Sequence, residues 1–189
     1  NCNINSNDAK NNVVKNISIS LNNLGIRNKK LKLINQIHSK EVFFVNKNNF
    51  KYQHIGDGLI TKDKSLALGI LTADCAPIFI FDNKNNIICS LHSGWKGALY
   101  NIVKESIKKI KKTNIKTKDL IAVIGPCLGY NNFEVNKDFK LSFIKKNINY
   151  FIFFKYKNKK KDLFNLRNLI NFQLRKEGIN NIYNINLDT

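Results

Sequence analysis

Apolar residues at 13, 14, 17, 21 and 24 recur at the spacing of one helix face, and Gly25 stops the pattern. This predicts a helix over Val13 to Leu24. Short apolar runs at Leu31 to Ile34, Val42 to Val45 and, after a polar stretch, Leu59-Ile60-Thr61 each predict a strand. Three more follow closely: Leu66 to Leu71, Pro77 to Phe81 and Ile87 to Leu91, with a turn at Asp82 to Asn86. Leu99, Ile102, Val103, Ser106, Ile107 and Ile110 share one face with lysines opposite, which predicts an amphipathic helix over Gly97 to Lys112. Asp119 to Ile124 reads as a buried strand, Phe133-Glu134-Val135 as a short extended piece, Asp138 to Ile144 as a helix and Ile152 to Phe154 as a strand. Asp162 is the predicted N-cap of a helix through Lys176, with Leu163, Leu166, Leu169, Ile170 and Leu174 inward and Gly178 at its end. Ile182 to Leu187 alternates and reads as the last strand.

Strands outnumber helices, and several follow one another with no helix between. No repeat and no linker rich in Pro, Gly or Ser divides the chain. The pattern therefore predicts an α+β (mixed α/β) fold, mixed sheets with helices packed around them, in a single domain over residues 1–189. At 189 residues and 43% hydrophobic content, the chain can bury a sizeable core and is not disordered. No apolar run reaches the length of a membrane span and no basic-then-apolar leader opens the chain, so a soluble, cytoplasmic protein is expected.

The formal charge of +19 would suit a nucleic acid or membrane partner if it were concentrated. Lysine and asparagine instead recur along the whole length, and the densest run, Lys155 to Lys161, reads as a solvated loop. Neither nucleic acid nor membrane is expected as a partner. The four cysteines, Cys2, Cys75, Cys89 and Cys127, form no CxxC pair and imply no disulfide framework. Cys89 alternates with Ile87 and Leu91 and reads as core, and Cys127, after Gly125-Pro126, as a buried small residue.

The chemistry concentrates where apolar strands end. Cys75 follows one such run, His92 ends another, and His38 sits in a similar setting earlier; the chain has only three histidines. Zinc accepts imidazole nitrogen and thiolate sulfur, and three protein ligands leave a position open for catalysis. His38, Cys75 and His92 supply such a set, although their spacing alone carries no metal signature. A second use of the same atoms makes Cys75 a nucleophile and His92 its base, without metal. Asp74 is a candidate to hold a histidine tautomer, and Lys96, where a helix begins, a candidate to bind an anion. Trp95, the single tryptophan, is read either as a stacking platform or as core, and His54 as a loop residue without a role. The general acid is left open among Asp57, Asp74 and Glu134.

Five blocks occur in order: Gln36-Ile37-His38; Asp57-Gly58-Leu59-Ile60-Thr61; Leu71-Thr72-Ala73-Asp74-Cys75-Ala76-Pro77; His92-Ser93-Gly94-Trp95-Lys96-Gly97; and Ile124-Gly125-Pro126 with Phe133-Glu134-Val135. Together they resemble the laccase-domain or polyphenol oxidase family, which includes the peptidoglycan editing factor and whose members are regarded as zinc-dependent purine nucleoside phosphorylases. The resemblance implies a zinc ion on His38, Cys75 and His92, and a sandwich-like mixed fold similar to cysteine hydrolases. It implies phosphorolysis of adenosine, inosine, guanosine and methylthioadenosine, and adenosine deamination, with Cys75, Asp74 and Lys96 as candidate catalytic residues. Purine nucleosides and phosphate are the implied partners; the oligomeric state is open, a monomer included. The alternatives are a metal-free cysteine hydrolase acting on peptidoglycan precursors and a copper polyphenol oxidase, the latter disfavoured by the histidine count.

The chain departs from the family pattern. Lys96 stands where the family has the arginine of Gly-Trp-Arg-Gly, keeping the charge without the bidentate fork. Asn186-Leu187-Asp188-Thr189 stands for Asp-x-Cys-Thr, so Asp188 replaces a cysteine. The Thr-Arg-x-Gly-Gly-Val-Ser and Phe-Ser-x-Arg segments of the family do not occur, which implies a chain shorter than its relatives at both ends.

Overall fold

The computed structural model describes residues 1–4, 6–82 and 84–189. Helix α1 (Lys10–Asn23) opens the fold, followed by strands β1 (Lys30–Lys32), β2 (Val42–Phe44), β3 (Gly58–Thr61), β4 (Leu66–Leu68), β5 (Ala76–Asp82) and β6 (Ile87–Ser93). Helices α2 (Trp95–Leu99) and α3 (Ile102–Lys111) come next, then β7 (Ile121–Ile124), β8 (Glu134–Asn136), α4 (Lys137–Lys146), β9 (Phe154–Tyr156), β10 (Lys161–Phe164), α5 (Leu166–Lys176) and β11 (Asn181–Asn184). This is the expected mixed α+β architecture, with mixed sheets and packed helices in one domain.

The central sheet has six strands in the order β11-β7-β5-β6-β3-β2. The pairs β11/β7 and β3/β2 at its margins are parallel, and the pairs between them are antiparallel. The long antiparallel pair β5–β6 forms its middle because Pro77 to Phe81 and Ile87 to Leu91 are joined by a short connection. That connection includes Asn83 of the expected 82–86 turn, a position outside the described residues. The sheet is covered by α2 and α3, with α5 packed against both, and the apolar stripes of α3 (Ile102, Ile107 and Ile110) and α5 (Leu166, Leu169 and Leu174) are fully buried. A three-stranded antiparallel sheet, β8-β10-β9, is joined to α4 by an aromatic cluster of Phe139, Phe143, Phe154 and Phe164. β1 and β4 form a separate parallel pair. Among the described residues, no helix is long and apolar enough to cross a membrane.

Four expected elements come out differently. The helix expected over 97–112 breaks at Asn101, which sits at φ 59° and accepts a hydrogen bond from the Lys104 amide, so it caps a new helix. Asp162 is no cap: residues 161–164 pair with β8 and β9, and the cap falls to Asn165, which accepts from the Asn168 N–H. Asp162 is instead a fully buried carboxylate, 2.9 Å from Lys137 Nζ. Residues 148–153 form a 3-10 helix that turns Tyr150 and Phe153 inward, so the strand begins only at Phe154. The run from Leu66 keeps strand pairing only to Leu68; its remainder is the loop that approaches Cys75.

Candidate metal centre

The antiparallel registers of β3–β6 and β5–β6 determine which residues meet at one end of the sheet. Gly58 faces Leu91, so Asp57, just before β3, stands beside His92. Ala76 faces Ser93, so Cys75, just before β5, stands beside Gly94. β2 pairs in parallel with β3, which brings the preceding loop and His38 to the same end. The donor atoms of His38, Cys75 and His92 all lie within 4.8 Å of one another. The two imidazoles meet edge to face with centroids 4.8 Å apart.

Asp57 organises this cluster. It is fully buried, and its carboxylate accepts hydrogen bonds from His92 Nδ1 at 2.7 Å and Ser39 Oγ at 2.8 Å. It also accepts from three successive backbone N–H groups, those of Ile37, His38 and Ser39. A buried carboxylate is stable only when so satisfied. Burial alone would push the Asp57 carboxyl up, but the hydrogen bonds from His92 and Ser39 outweigh it and hold the carboxyl below its ordinary value. Burial alone would likewise lower His92, but its contacts with Asp57 and Cys75 raise it to about 9. The amide contacts also hold His38 in the left-handed region at φ 58°, unusual for a residue other than glycine.

The arrangement fits a metal ion. With His92 Nδ1 committed to Asp57, Nε2 is the nitrogen left to a metal, and the carboxylate fixes that tautomer. Zinc is a borderline-soft ion that takes imidazole nitrogen and thiolate sulfur at ~2.0–2.3 Å. The donors all lie within 4.8 Å of one another, so a small closure of the loop-borne His38 and Cys75 would bring them to the roughly 3.5 Å spacing of a tetrahedral ion. The close approach also depends on Gly94: a Cβ there would lie 2.8 Å from Cys75 Sγ and 3.1 Å from His38 Cδ2.

The cluster lies at an open cavity of about 410 Å³. Its walls include Ile34 and Leu71 on the apolar side and Asn35, Gln36, Thr72 and Asp74 on the polar side, and among the described lining residues there is no lysine or arginine. Another cavity, of about 430 Å³, lies beside Asp63 and Asp82 and has neither cysteine nor histidine in its lining.

The remaining expected residues fall as follows. Asp74 lines the cavity but does not hold a histidine, as the sequence suggested; Asp57 does that, and Asp74 Oδ1 accepts from Thr189 Oγ1 at 3.2 Å. The sheet register, invisible without knowledge of strand pairing, decided between the two acids. The one signal in the sequence was an acid directly ahead of the apolar run of β3, where a buried charge needs partners. Lys96 is exposed, with Nζ 5.5 Å from the Trp95 ring, and lies outside the cavity lining. Trp95 packs half-buried on Phe139 at 5.2 Å and belongs to the core. His54 is stacked on Phe43, away from the cluster, and burial with nearby Lys32 lowers it. Glu134 is an exposed strand charge paired with Lys157. Cys89 and Cys127 are buried, and burial raises both thiols.

Comparison with known proteins agrees with the fold. The family described as multi-copper polyphenol oxidoreductase laccase matches residues 1–189. A Rickettsia conorii protein named purine nucleoside phosphorylase RC0672 is 33% identical over 158 residues, which cover 83% of this chain and 65% of that protein. A Clostridium acetobutylicum protein named purine nucleoside phosphorylase CA_C1699 is 33% identical over 189 residues, covering 96% of this chain and 78% of its own. The crystal structure of Neisseria meningitidis protein NMB0706, of family DUF152, superposes with a TM-score of 0.89 at 23% identity, covering 100% of this chain and 75% of that one. Bacillus licheniformis YfiH, described as a hypothetical protein, gives 0.87 at 22% identity, covering 100% of this chain and 75% of its own. The chain belongs to the multi-copper polyphenol oxidoreductase laccase family.

Proposed function

We propose that the chain carries the active site of a zinc-dependent purine nucleoside phosphorylase acting on adenosine, inosine, guanosine and methylthioadenosine, with adenosine deamination in the same cavity. The observation that supports this most is the meeting of His38, Cys75 and His92 at the mouth of a cavity of about 410 Å³, a size suited to a nucleoside. The names of the relatives from Rickettsia and Clostridium point the same way.

His38, Cys75 and His92 would hold the zinc, which when bound supplies Lewis acidity toward a substrate oxygen. Asp57 keeps His92 oriented with Nδ1 protonated. Ile34 and Leu71 offer apolar surface to the flat base, and Asn35 and Thr72 offer hydrogen bonds to ribose hydroxyls or base edges. Asp74, at the cavity, is the proposed carrier of the proton exchanged with the departing group. Lys96 is proposed to draw phosphate toward the site from outside the lining, as a point charge.

A second reading, a metal-free hydrolase with Cys75 as nucleophile and His92 as base, is favoured by the contact between those two side chains. A copper cluster of the multinuclear kind has too few ligands here, since the third histidine, His54, is away from the site.

The test is elemental analysis of the purified protein together with phosphate-dependent release of hypoxanthine from inosine. About one zinc per chain and turnover abolished in Cys75→Ala are expected. Activity that survives complete zinc removal and is stopped by alkylation of Cys75 would establish the hydrolase instead.

A further inference from the structure

Two segments leave the β1–β4 pair side by side and run to the metal centre, one ending in His38 and the other in Cys75. At their base they are joined by backbone: Lys30 to Lys32 pair with Leu66 to Leu68, and the Gly69 N–H donates to the Lys32 carbonyl at 2.9 Å. Beyond that point they separate, and the cavity opens between them. Ile34 and Asn35 belong to one wall, Leu71 and Thr72 to the other.

A side chain supplies the next rung. Gln36 Nε2 donates to the Leu71 carbonyl at 2.7 Å, and the Leu71 N–H donates to Gln36 Oε1 at 2.7 Å. The Gln36 amide thus pairs with a peptide group as a second strand would, using both its donor and its acceptor. On its other side the segment is fixed by backbone: Asn35 N–H donates to the His54 carbonyl at 3.0 Å, and Gly56 N–H to the Asn35 carbonyl at 2.9 Å. Leu71 therefore takes its position relative to Ile34 from Gln36. His38 and Cys75 have other anchors, Asp57 for the first and the start of β5 for the second.

We infer that Gln36 is a positioning residue that sets the width of the slot between Ile34 and Leu71, and so the fit of a flat heterocyclic base. This rests on the nucleoside reading above. The role separates from metal binding because the donors are held by different contacts. Glutamine suits the task, since a glutamate keeps the acceptor for the Leu71 N–H but loses the donor to its carbonyl, and a leucine loses both.

The experiment compares wild type, Gln36→Glu and Gln36→Leu in the zinc-loaded protein. It measures amide hydrogen exchange at Leu71, zinc per chain, and kcat and KM for inosine. Leu71 exchange should speed up at least about tenfold in Gln36→Leu and less in Gln36→Glu. Zinc content should stay at the wild-type value. KM should rise roughly tenfold in Gln36→Leu, with kcat changed by less than about twofold and Gln36→Glu intermediate. Unchanged Leu71 exchange overturns the inference, as does loss of zinc in step with activity, which would place the effect on the donors. A uniform fall in kcat with KM unmoved overturns it as well. Should wild type neither bind nor convert inosine while Leu71 exchange still answers to Gln36, the nucleoside reading fails and the clamp alone stands.

Discussion

The two sides of the candidate metal centre are built differently. His92 and Asp57 form a buried pair at the end of the central sheet, 3% and 0% exposed, held by strand register and by a 2.8 Å bond from the His92 N–H to the Asp57 carbonyl. His38 and Cys75 come from loops; His38 is exposed and Cys75 half-buried. One side is fixed as part of the core, and the other is adjusted by a few side-chain contacts, Asp57 to residues 37–39 and Gln36 to Leu71. The contrast teaches that folding and the proposed metal binding draw unequally on the same cluster. Removing a group on the buried side should unfold as well as inactivate, whereas removing one on the loop side should spare the fold.

The sharpest way to break this contrast is Asp57→Ala. It leaves His92 and three backbone N–H groups without their buried acceptor, and breaking such a pair typically costs about 3–5 kcal/mol. Urea unfolding should show a loss of that order together with loss of zinc; a stable, metal-free variant would refute the coupling. His38→Ala comes next. Metal affinity, measured against a competing chelator, should fall by more than the roughly 10–100-fold typical of removing a residue that merely orients a ligand. The metal-free melting temperature should move by no more than about 3 °C, because the side chain is exposed.

Gly94→Ala tests the crowding between the two sides. The added Cβ, 2.8 Å from Cys75 Sγ, must displace the thiol, and zinc affinity should drop about tenfold or more with the fold retained. Under the proposed phosphorolysis, Lys96→Ala should raise KM for phosphate only a few-fold, and the rise should shrink with added salt, as for an exposed charge. The smallest effect concerns acid. Asp57 and Asp82 both titrate below their ordinary value: at Asp57 burial opposes the shift but the His92 and Ser39 bonds win, and at Asp82 the Asn85 side-chain bond leads. Such groups bind protons more readily once unfolded. Their contribution is therefore whole above about pH 4 and is lost as the pH falls through the lower, folded-state values. A melting series should decline as the pH falls below about 4, less steeply in Asp82→Asn.

Much of this was legible in the residues. The apolar stripe of α3 and the alternation along β5 and β6 report the side from which each element is covered, because burial follows the element's own period. His38, Cys75 and His92 could be singled out because each ends or borders an apolar run. Asp162 shows the limit. As an acid ahead of apolar residues at helical spacing it has the marks of a cap, yet strand pairing with β8 and β9 claimed it and passed the cap to Asn165. Helix-start chemistry is local and tolerates a shift of a few residues, while strand pairing is contributed by distant segments and outweighs it.

The sequence by itself therefore determined the kinds of elements, the apolar faces that drive them together and the donor chemistry available. The tertiary structure decided which acid serves which histidine, that Gln36 spans to Leu71, and that Gly94 leaves room for a thiol and an imidazole. Those are relations between residues as far apart in the chain as His38 and Gly94. They depend on sheet register, and a register is the outcome of all the strands packing at once.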